Sequence, residues 1–430
     1  MLAAFANAFK IPDLRKKILF TLFIIAIFRF GSQLPVPLVD LDRVQAQLES
    51  AAAGGGFLAY INLFSGGALG RMAVFALGIM PYITASIIMQ LLTVVIPKLE
   101  RWQKEGESGT KKINQTTRYV TIVLAVLQAT GLVFLFNRDD PSSAVNEDLF
   151  SATLTAPRIA LIVLTLTAGT ALIMWMGELI TQRGIGNGMS ILIFASVIAT
   201  LPAEGGGILA QGGTGKFIAI LILGLGMIVA VVFIEQGQRR IPVQYAKRVV
   251  GRKMASGGST YIPLKVNQAG VIPIIFASSV LYFPTLIASG YDAPWFQNLV
   301  DNYLNNPASV VYMAVYGLMV VFFAYFYTAI AFNPVDTADN LRKFGGFVPG
   351  IRPGPPTAKY LNDILVRITL PGAIFLATIS IIPSVVLAVW GIQQFPFGGA
   401  SLLITVGVAL ETMKQLESQL QMHNYEGFLR

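Results

Sequence analysis

Cysteine is absent from the sequence, and His423 is its single histidine. That excludes a disulfide framework, Cys/His metal sites, haem held by paired histidines, and any Ser-His or Cys-His nucleophile. Charge is the next scarcity. Asp, Glu, Lys and Arg make up 12% of the 430 residues, about half the share usual in a soluble domain. The chain therefore reads as a protein without covalent chemistry, cofactor or bound metal. Hydrophobic residues fill the space, at 54% of the chain.

They are gathered into windows of spanning length, since roughly 20 residues cover the ~30 Å hydrocarbon core. Ten such windows are expected, at residues 18–34, 73–96, 119–136, 159–176, 185–201, 217–234, 269–287, 312–332, 368–389 and 402–413. The fold class is then an all-α, ten-span membrane protein with room for loops only. Lys10, Arg15, Lys16 and Lys17 precede the first window. With no small-residue cleavage site after it, that window is expected to be a retained span. Sorting cations by alternate loops places 25 of the 31 Lys and Arg on one side. The bias puts both termini in the cytoplasm.

Inside the spans charge is almost missing. Arg29 is the exception, and its place near the outer end of the first span predicts that it snorkels outward. Glu178, Glu235 and Glu411 fall at or near cytoplasmic ends. Proton and ion relays need partners near the midplane, so coupled transport has little to work with.

The stretch 54–97 is built differently. Its first part is apolar but broken by Gly54, Gly55, Gly56, Gly66, Gly67 and Gly70, and reads as a short half-helix. Its second part is a span with Pro81 in its first third. Irregular backbone at membrane depth survives only where protein or a water-filled cavity surrounds it, so a cavity is expected here. A Gly-rich connection at residues 202–215 divides the chain into halves, 1–205 and 206–430. Five spans in each half oblige the second to enter from the opposite side, as in inverted repeats. Residues 184–188 (Gly-Ile-Gly-Asn-Gly) lack the preceding strand and following Lys of a phosphate loop, and are expected to break the chain before the fifth span.

Two loops are larger than connectors require. Residues 236–268 carry seven cations and no acid, with strand-like runs at 243–250 and 260–266 separated by Ser256-Gly257-Gly258, a hairpin signal. Positive loops hold topology and anionic lipid, and they equally suit an acidic partner or RNA phosphate; the residues alone leave both open. Residues 333–366 include Phe347-Val348-Pro349-Gly350-Ile351-Arg352-Pro353-Gly354, a tight course that presents Arg352 either to a partner or to lipid phosphates.

Several runs in order resemble one family. They are Met80 through Leu92, Lys104-Glu105-Gly106-Glu107-Ser108-Gly109, Gly184 to Ser190, Gly237-Gln238-Arg239-Arg240-Ile241, Pro263-Leu264-Lys265-Val266-Asn267, and Ala338-Asp339-Asn340-Leu341 through Gly354. From Leu14 to about Met422 the chain resembles the SecY family, channel subunits of the bacterial Sec protein translocase. The resemblance implies two inverted halves around an hourglass pore that passes unfolded secretory polypeptide across the membrane and releases transmembrane segments sideways into lipid. It implies a pore ring of Ile83, Ile87, Met189, Ile193, Ile275 and Ile404. An apolar ring dewets against ions yet yields around any side chain; Met189, where isoleucine is more usual, is the flexible member.

The resemblance also implies a plug at about residues 57–72, including Phe57, Tyr60, Ile61, Leu63, Phe64 and Leu69, and a lateral gate with Ser86, Gln128 and Ser278 near its faces. The gate polar residues either bond across the closed gate or simply pack helices. It implies contacts to the SecA ATPase or the ribosome through Arg239, Arg240, Lys247, Arg248, Arg252, Lys253 and Arg352, with SecE and SecG completing the channel, and a signal sequence, a translocating polypeptide and membrane lipid as further partners. The location implied is the bacterial inner membrane. Outside the resemblance, the alternative is a solute transporter built on inverted repeats.

Overall fold

The computed structural model describes residues 9, 11–37, 39, 62, 65–136, 156–245, 248–250, 253–255, 259–290, 294–304, 309–390 and 399–428. Each of the ten apolar windows falls on a helix. In chain order these are α1 Pro12–Gly31, α2 Met80–Val95, α4 Glu107–Phe136, α5 Ala156–Arg183, α6 Gly188–Leu209, α7 Gly213–Gln236, α8 Ile272–Gly290, α10 Val310–Ala331, α12 Pro355–Trp390 and α13 Gly399–Phe428. Shorter helices α3 Pro97–Lys104, α9 Pro294–Leu299 and α11 Pro334–Lys343 lie between them. Among the described residues six helical stretches are long and apolar enough to cross a membrane alone, and the bent pair α2 and α3 offers a seventh.

The start of the second span and the glycine-rich connection differ from those expected. The second span was expected from residue 73, but Ala73–Ile79 run as turns, with Gly78 at φ +55°, and α2 begins at Met80. Pro81 therefore stands in the first turn, where its missing N–H is an orphan in any case, and it starts the helix instead of kinking it. At its other end α2 stops at Ile96, extended at ψ 113°, as the residue before Pro97 is pushed out of helical backbone. A 100° bend leads from there into α3. The glycine-rich connection is narrower than residues 202–215: helical backbone continues through Pro202, and the break is at Gly213, with φ 71° and ψ 174°.

The chain forms two compact units, residues 1–213 with 408–430, and residues 214–407. In the first, small residues allow close backbone approach. A Cβ on Gly188 of α6 would stand 1.9 Å from the Gly177 carbonyl oxygen of α5, and one on Gly177 would stand 2.1 Å from the Met189 sulfur. In the second unit α10 packs on α8 and α12, and Phe276 of α8 stacks on Phe323 of α10 at 5.2 Å.

Outside its helices, the second unit holds an antiparallel sheet in the order β4-β1-β5, where β1 is Gln238–Tyr245, β4 Ser259–Lys265 and β5 Gly346–Phe347. A separate pair, β2 Arg248–Val250 and β3 Lys253–Ala255, lies between β1 and β4 in sequence. The expected hairpin is thus two nested ones. Its first strand begins five residues earlier than predicted, because Arg239, Arg240 and Pro242 disguise a true alternation in which Ile241 and Val243 point inward.

Gly188→Ala should lower the melting temperature in detergent, by an overpacking cost of about 1–3 kcal/mol. Gly131→Ala on α4, where a Cβ meets nothing within 4 Å, should be neutral or slightly stabilising. Equal melting temperatures for the two variants would refute the close α5–α6 approach.

Candidate functional site

Around the predicted plug, the described residues begin at Asn62 and resume at Ser65; Phe57, Tyr60, Ile61, Leu63 and Phe64 lie outside them. From Ser65 onward the chain forms a hydrogen-bonded stem. Gly67 N–H donates to the Asn62 carbonyl (2.9 Å), Gly70 N–H to Asn62 Oδ1 (2.9 Å), Ser65 Oγ to the Asn62 carbonyl (3.0 Å), and Leu69 N–H to Ser65 Oγ (3.1 Å). A 3₁₀ turn at Leu69–Arg71 leads to Met72, a non-glycine residue in left-handed backbone at φ 37°. Two bonds staple the stem to the exit of α1: Val36 N–H to the Met72 carbonyl (2.9 Å) and Val74 N–H to the Leu34 carbonyl (2.8 Å).

The stem is buried in the first unit. Leu69 and Met72 are fully buried in one cluster with Ala125, Ala129, Leu132 and Val133 of α4 and Ile162 and Leu166 of α5. Phe75 stacks on Phe28 of α1 at 5.7 Å, in space that a Cβ on Gly31 would invade. Leu69, assigned to the plug from the sequence, therefore sits in this packed stem. Arg29 Nη1 donates to the Gly66 carbonyl at 3.0 Å, because the stem places an acceptor within its reach.

The six ring positions divide between the units. Ile83 and Ile87 lie on α2, half-buried and buried, and Met189 and Ile193 are buried on α6. Ile275 on α8 and Ile404 on α13 are buried in the second unit. Met189 is less free than its side chain suggests, since its sulfur fills the notch left by Gly177. Of the gate residues, Ser86 and Gln128 are half-buried on α2 and α4, and Ser278 Oγ donates to the Ile275 carbonyl of its own helix at 2.9 Å. Glu178, expected near a cytoplasmic end, is paired: Arg118 of α4 donates through Nε to its carboxylate and through Nη1 to Gln115 Oε1. The sequence offered no signal for this pairing, 60 residues apart.

The two large loops form one platform, which sequence reasoning treated as two. β5 from the second loop pairs with β1 from the first, Gln244 opposite Phe347 and Tyr245 opposite Gly346. Ile241 and Leu264 of the sheet pack with Val348 and Leu361, and Ile351 joins them. The positive φ of Gly345, Gly350 and Gly354 shapes the turns on either side. Arg352 is exposed at the rim, and its carbonyl accepts from Thr357 Oγ1 at 2.8 Å, fixing the backbone that carries it. Arg239 and Arg240 are exposed on β1, and the Arg240 guanidinium lies 4.9 Å from the Tyr261 ring centre. With the Gln238 amide turned to face it, Arg240 Nε and Nη2 both donate to that side-chain oxygen at 3.1 Å. Lys247 and Arg252 lie outside the described residues; Arg248 and Lys253 stand on β2 and β3.

The segment from α3 into α4 provides a contrast. Lys104 pairs with Glu100 (2.6 Å), Lys111 with Glu107 (3.0 Å) and Lys112 with Glu105 (2.9 Å). The Lys104 bond holds the Glu100 carboxyl below its usual range. Among the described residues Arg239, Arg240, Lys265 and Arg352 have no such acid partner.

Known proteins are similar to this chain in sequence and in architecture. A sequence model of the SecY family matches residues 73–413. The protein translocase subunit SecY of Streptomyces scabiei is 55% identical over 444 residues, covering 100% of both chains. Its counterpart in Mycobacterium bovis is 53% identical over 442 residues, again covering 100% of both. Among solved structures, a protein-conducting channel superposes with a TM-score of 0.63 at 17% identity, covering 96% of each chain. A channel from work on how the SecY plug domain stabilises the closed state and maintains a membrane seal gives 0.59 at 18% identity, with 96% coverage of each. Sec61 in the canine ribosome–channel complex gives 0.59 at 17% identity and the same coverage.

Leu361→Ala, which opens a cavity under the sheet, should cost about 2–5 kcal/mol locally. Amide exchange should then speed up in β1 and β4 together; acceleration in only one strand would mean that the platform is not a single unit.

Proposed function

The chain belongs to the SecY family of protein-translocation channel subunits, and from that premise we propose how its parts divide the work. It is a multi-pass membrane protein, proposed here to have ten spans in the bacterial inner membrane with both termini cytoplasmic. Its two halves form an inverted pair, with unfolded secretory chains passing through the pore and transmembrane segments leaving sideways through the gate. Ile83, Ile87, Met189, Ile193, Ile275 and Ile404 form the constriction. Their support is chemical: all six are apolar, five are buried, and an apolar ring blocks ions by dewetting without selecting the passing side chain. The segment before the stem acts as the plug, and the stem at residues 65–79 is its fixed mount.

The platform is the cytoplasmic docking surface. The observation that carries this assignment is its set of exposed cations without acid partners, held on a buried core, in contrast to Lys104, Lys111 and Lys112, each of which pairs with a nearby acid. Uncompensated charge on a rigid base attracts an acidic partner at long range and fixes its register. SecA and the ribosome are the partners proposed for it, with Arg352 and Arg240 as contacts, and SecE and SecG as neighbours in the membrane.

Because the chain has no cysteine, single cysteines at Ile87, Ile275 and Ile404 should each crosslink a stalled secretory chain; failure at all three would sink the ring. Ile87→Asn or Ile404→Asn should raise resting ion leak in bilayer recordings, and an unchanged leak would remove those positions. Arg352→Glu should impair ATPase-driven export while the stability stays within about 0.5 kcal/mol of the parent, as expected of a surface change; normal export would take Arg352 out of the docking site.

A further inference from the structure

We propose that the cleft between α10 and α12 holds a resident zwitterionic phospholipid, with one acyl chain between the helices and the headgroup at Lys359, Asn362 and Asp363, and that this lipid braces the platform. The cleft has a volume of about 130 Å³. Tyr325, Ala329 and Phe332 line it from α10 and its exit, and Leu365, Val366 and Thr369 from α12. Two bonds keep its walls apolar. Thr328 Oγ1, also in the wall, donates to the Ala324 carbonyl of its own helix at 2.7 Å, and Thr369 Oγ1 to the Leu365 carbonyl at 2.8 Å. Neither hydroxyl proton is offered to the cleft. An apolar space of roughly this size stays dry and takes an apolar guest.

Position selects the guest. α10 has no charged residue and α12 has none after Arg367, and both helices are long and apolar enough to cross a membrane. Phe332, Pro334 and Asn362 gather at one end of the cleft, while Thr369 lies about two turns deeper. Ala329 and Val366 on the rim are exposed, so the cleft opens sideways at the level where the spans end. That is where lipid tails meet headgroups. At this mouth Lys359, Asn362 and Asp363 are exposed within about one turn of α12, and none has a hydrogen-bond or ion-pair partner among the described residues. Lys359 and Asn362 suit a phosphate, and Asp363 beside them suits an ammonium. A purely anionic headgroup would meet the Asp363 carboxylate without compensation.

The same residues give the lipid a consequence. Phe332 lines the cleft and also packs against the platform core of Ile241, Leu264, Val348 and Leu361. An empty cleft leaves one side of Phe332 without partner atoms and forfeits dispersion contacts, which a tail restores. Occupancy and platform order are therefore linked, each stabilising the other. The proposal needs α10 and α12 to be spans, and is independent of what docks on the platform.

The test uses the full channel complex in a mild detergent, with phosphatidylethanolamine carrying a photoactivatable diazirine in one acyl chain. Crosslinks mapped by peptide mass spectrometry should fall on residues 325–334 and 362–369, and should survive a detergent wash that clears them from Leu318, which is 72% exposed on α10. Ala329→Trp, which fills the cleft from its rim, should abolish the cleft crosslinks. Lys359→Gln combined with Asn362→Ala should reduce them about tenfold, the order for losing a hydrogen bond to a charged group. This surface variant decides the matter if Ala329→Trp fails to assemble. Stripping lipid from the parent should speed amide exchange in β1 and β4, and added phosphatidylethanolamine should slow it again. A cleft without crosslinks, crosslinks spread evenly over the cleft and Leu318, a glycerol headgroup held as firmly as ethanolamine, or platform exchange indifferent to lipid would each overturn the proposal.

Discussion

A backbone that leaves the helix among membrane spans must find every hydrogen bond within the protein, because lipid offers none. Residues 65–79 meet that demand twice. They bond among themselves and to Asn62, through Ser65, Gly67, Leu69 and Gly70, and they bond to the exit of α1 through Leu34, Val36, Met72 and Val74. The packing is a consequence of the bonding. A non-helical stem is wider than a helix at some points and thinner at others, so its neighbours present Ala125, Ala129 and Gly169 where it comes close; a Cβ on Gly169 would be 2.0 Å from the Val74 carbonyl oxygen. Phe75 then enters the space above Gly31, stacked on Phe28.

The same rule explains which parts of this chain were legible from its residues. Long apolar windows carry their own hydrogen bonds, so periodicity and length reveal them without knowledge of any neighbour, and all ten windows fall on helices. The stem was legible only as irregularity, through its glycines. Its bonding partners on α1 and at that helix's exit are 30 or more residues away and could not be read from local sequence. Arg29 shows the cost: its own helix gives no sign of the Gly66 carbonyl to which it donates. The Arg118–Glu178 pair was hidden for the same reason. It also bears on the solute-transporter alternative, since this carboxylate is engaged by a guanidinium instead of standing free for an ion or proton.

The platform was half legible. Cation count and glycine placement marked both loops as surfaces, but β1 was displaced because its exposed residues, Arg239, Arg240, Pro242 and Gln244, masked the inward Ile241 and Val243. Two-residue β5 has no compositional signal at all. Its pairing with β1 is a tertiary event that depends on Val348 and Leu361 already lying under the sheet.

The register of that sheet constrains how any partner can use it. Val266 N–H donates to the Gly237 carbonyl, so directly bonded pairs recur at Arg239/Leu264, Ile241/Ile262 and Val243/Thr260. Pro242 and Pro263 both fall at the alternate positions, where no cross-strand donor is required, and the ladder tolerates two prolines without losing a bond. On the free edge of β4 the consequence is different. Pro263 has no N–H to offer, and the Lys265 N–H is already given to Gln268 Oε1 at 3.3 Å. An incoming strand would find too few donors to pair, which is how exposed edges are kept from recruiting other chains. Recognition is thereby directed to the face of the sheet, where Gln238, Arg240, Pro242, Tyr261, Pro263 and Lys265 stand together. A face read by side chains can be bound and released without rebuilding any backbone, which is compatible with the docking role proposed for it.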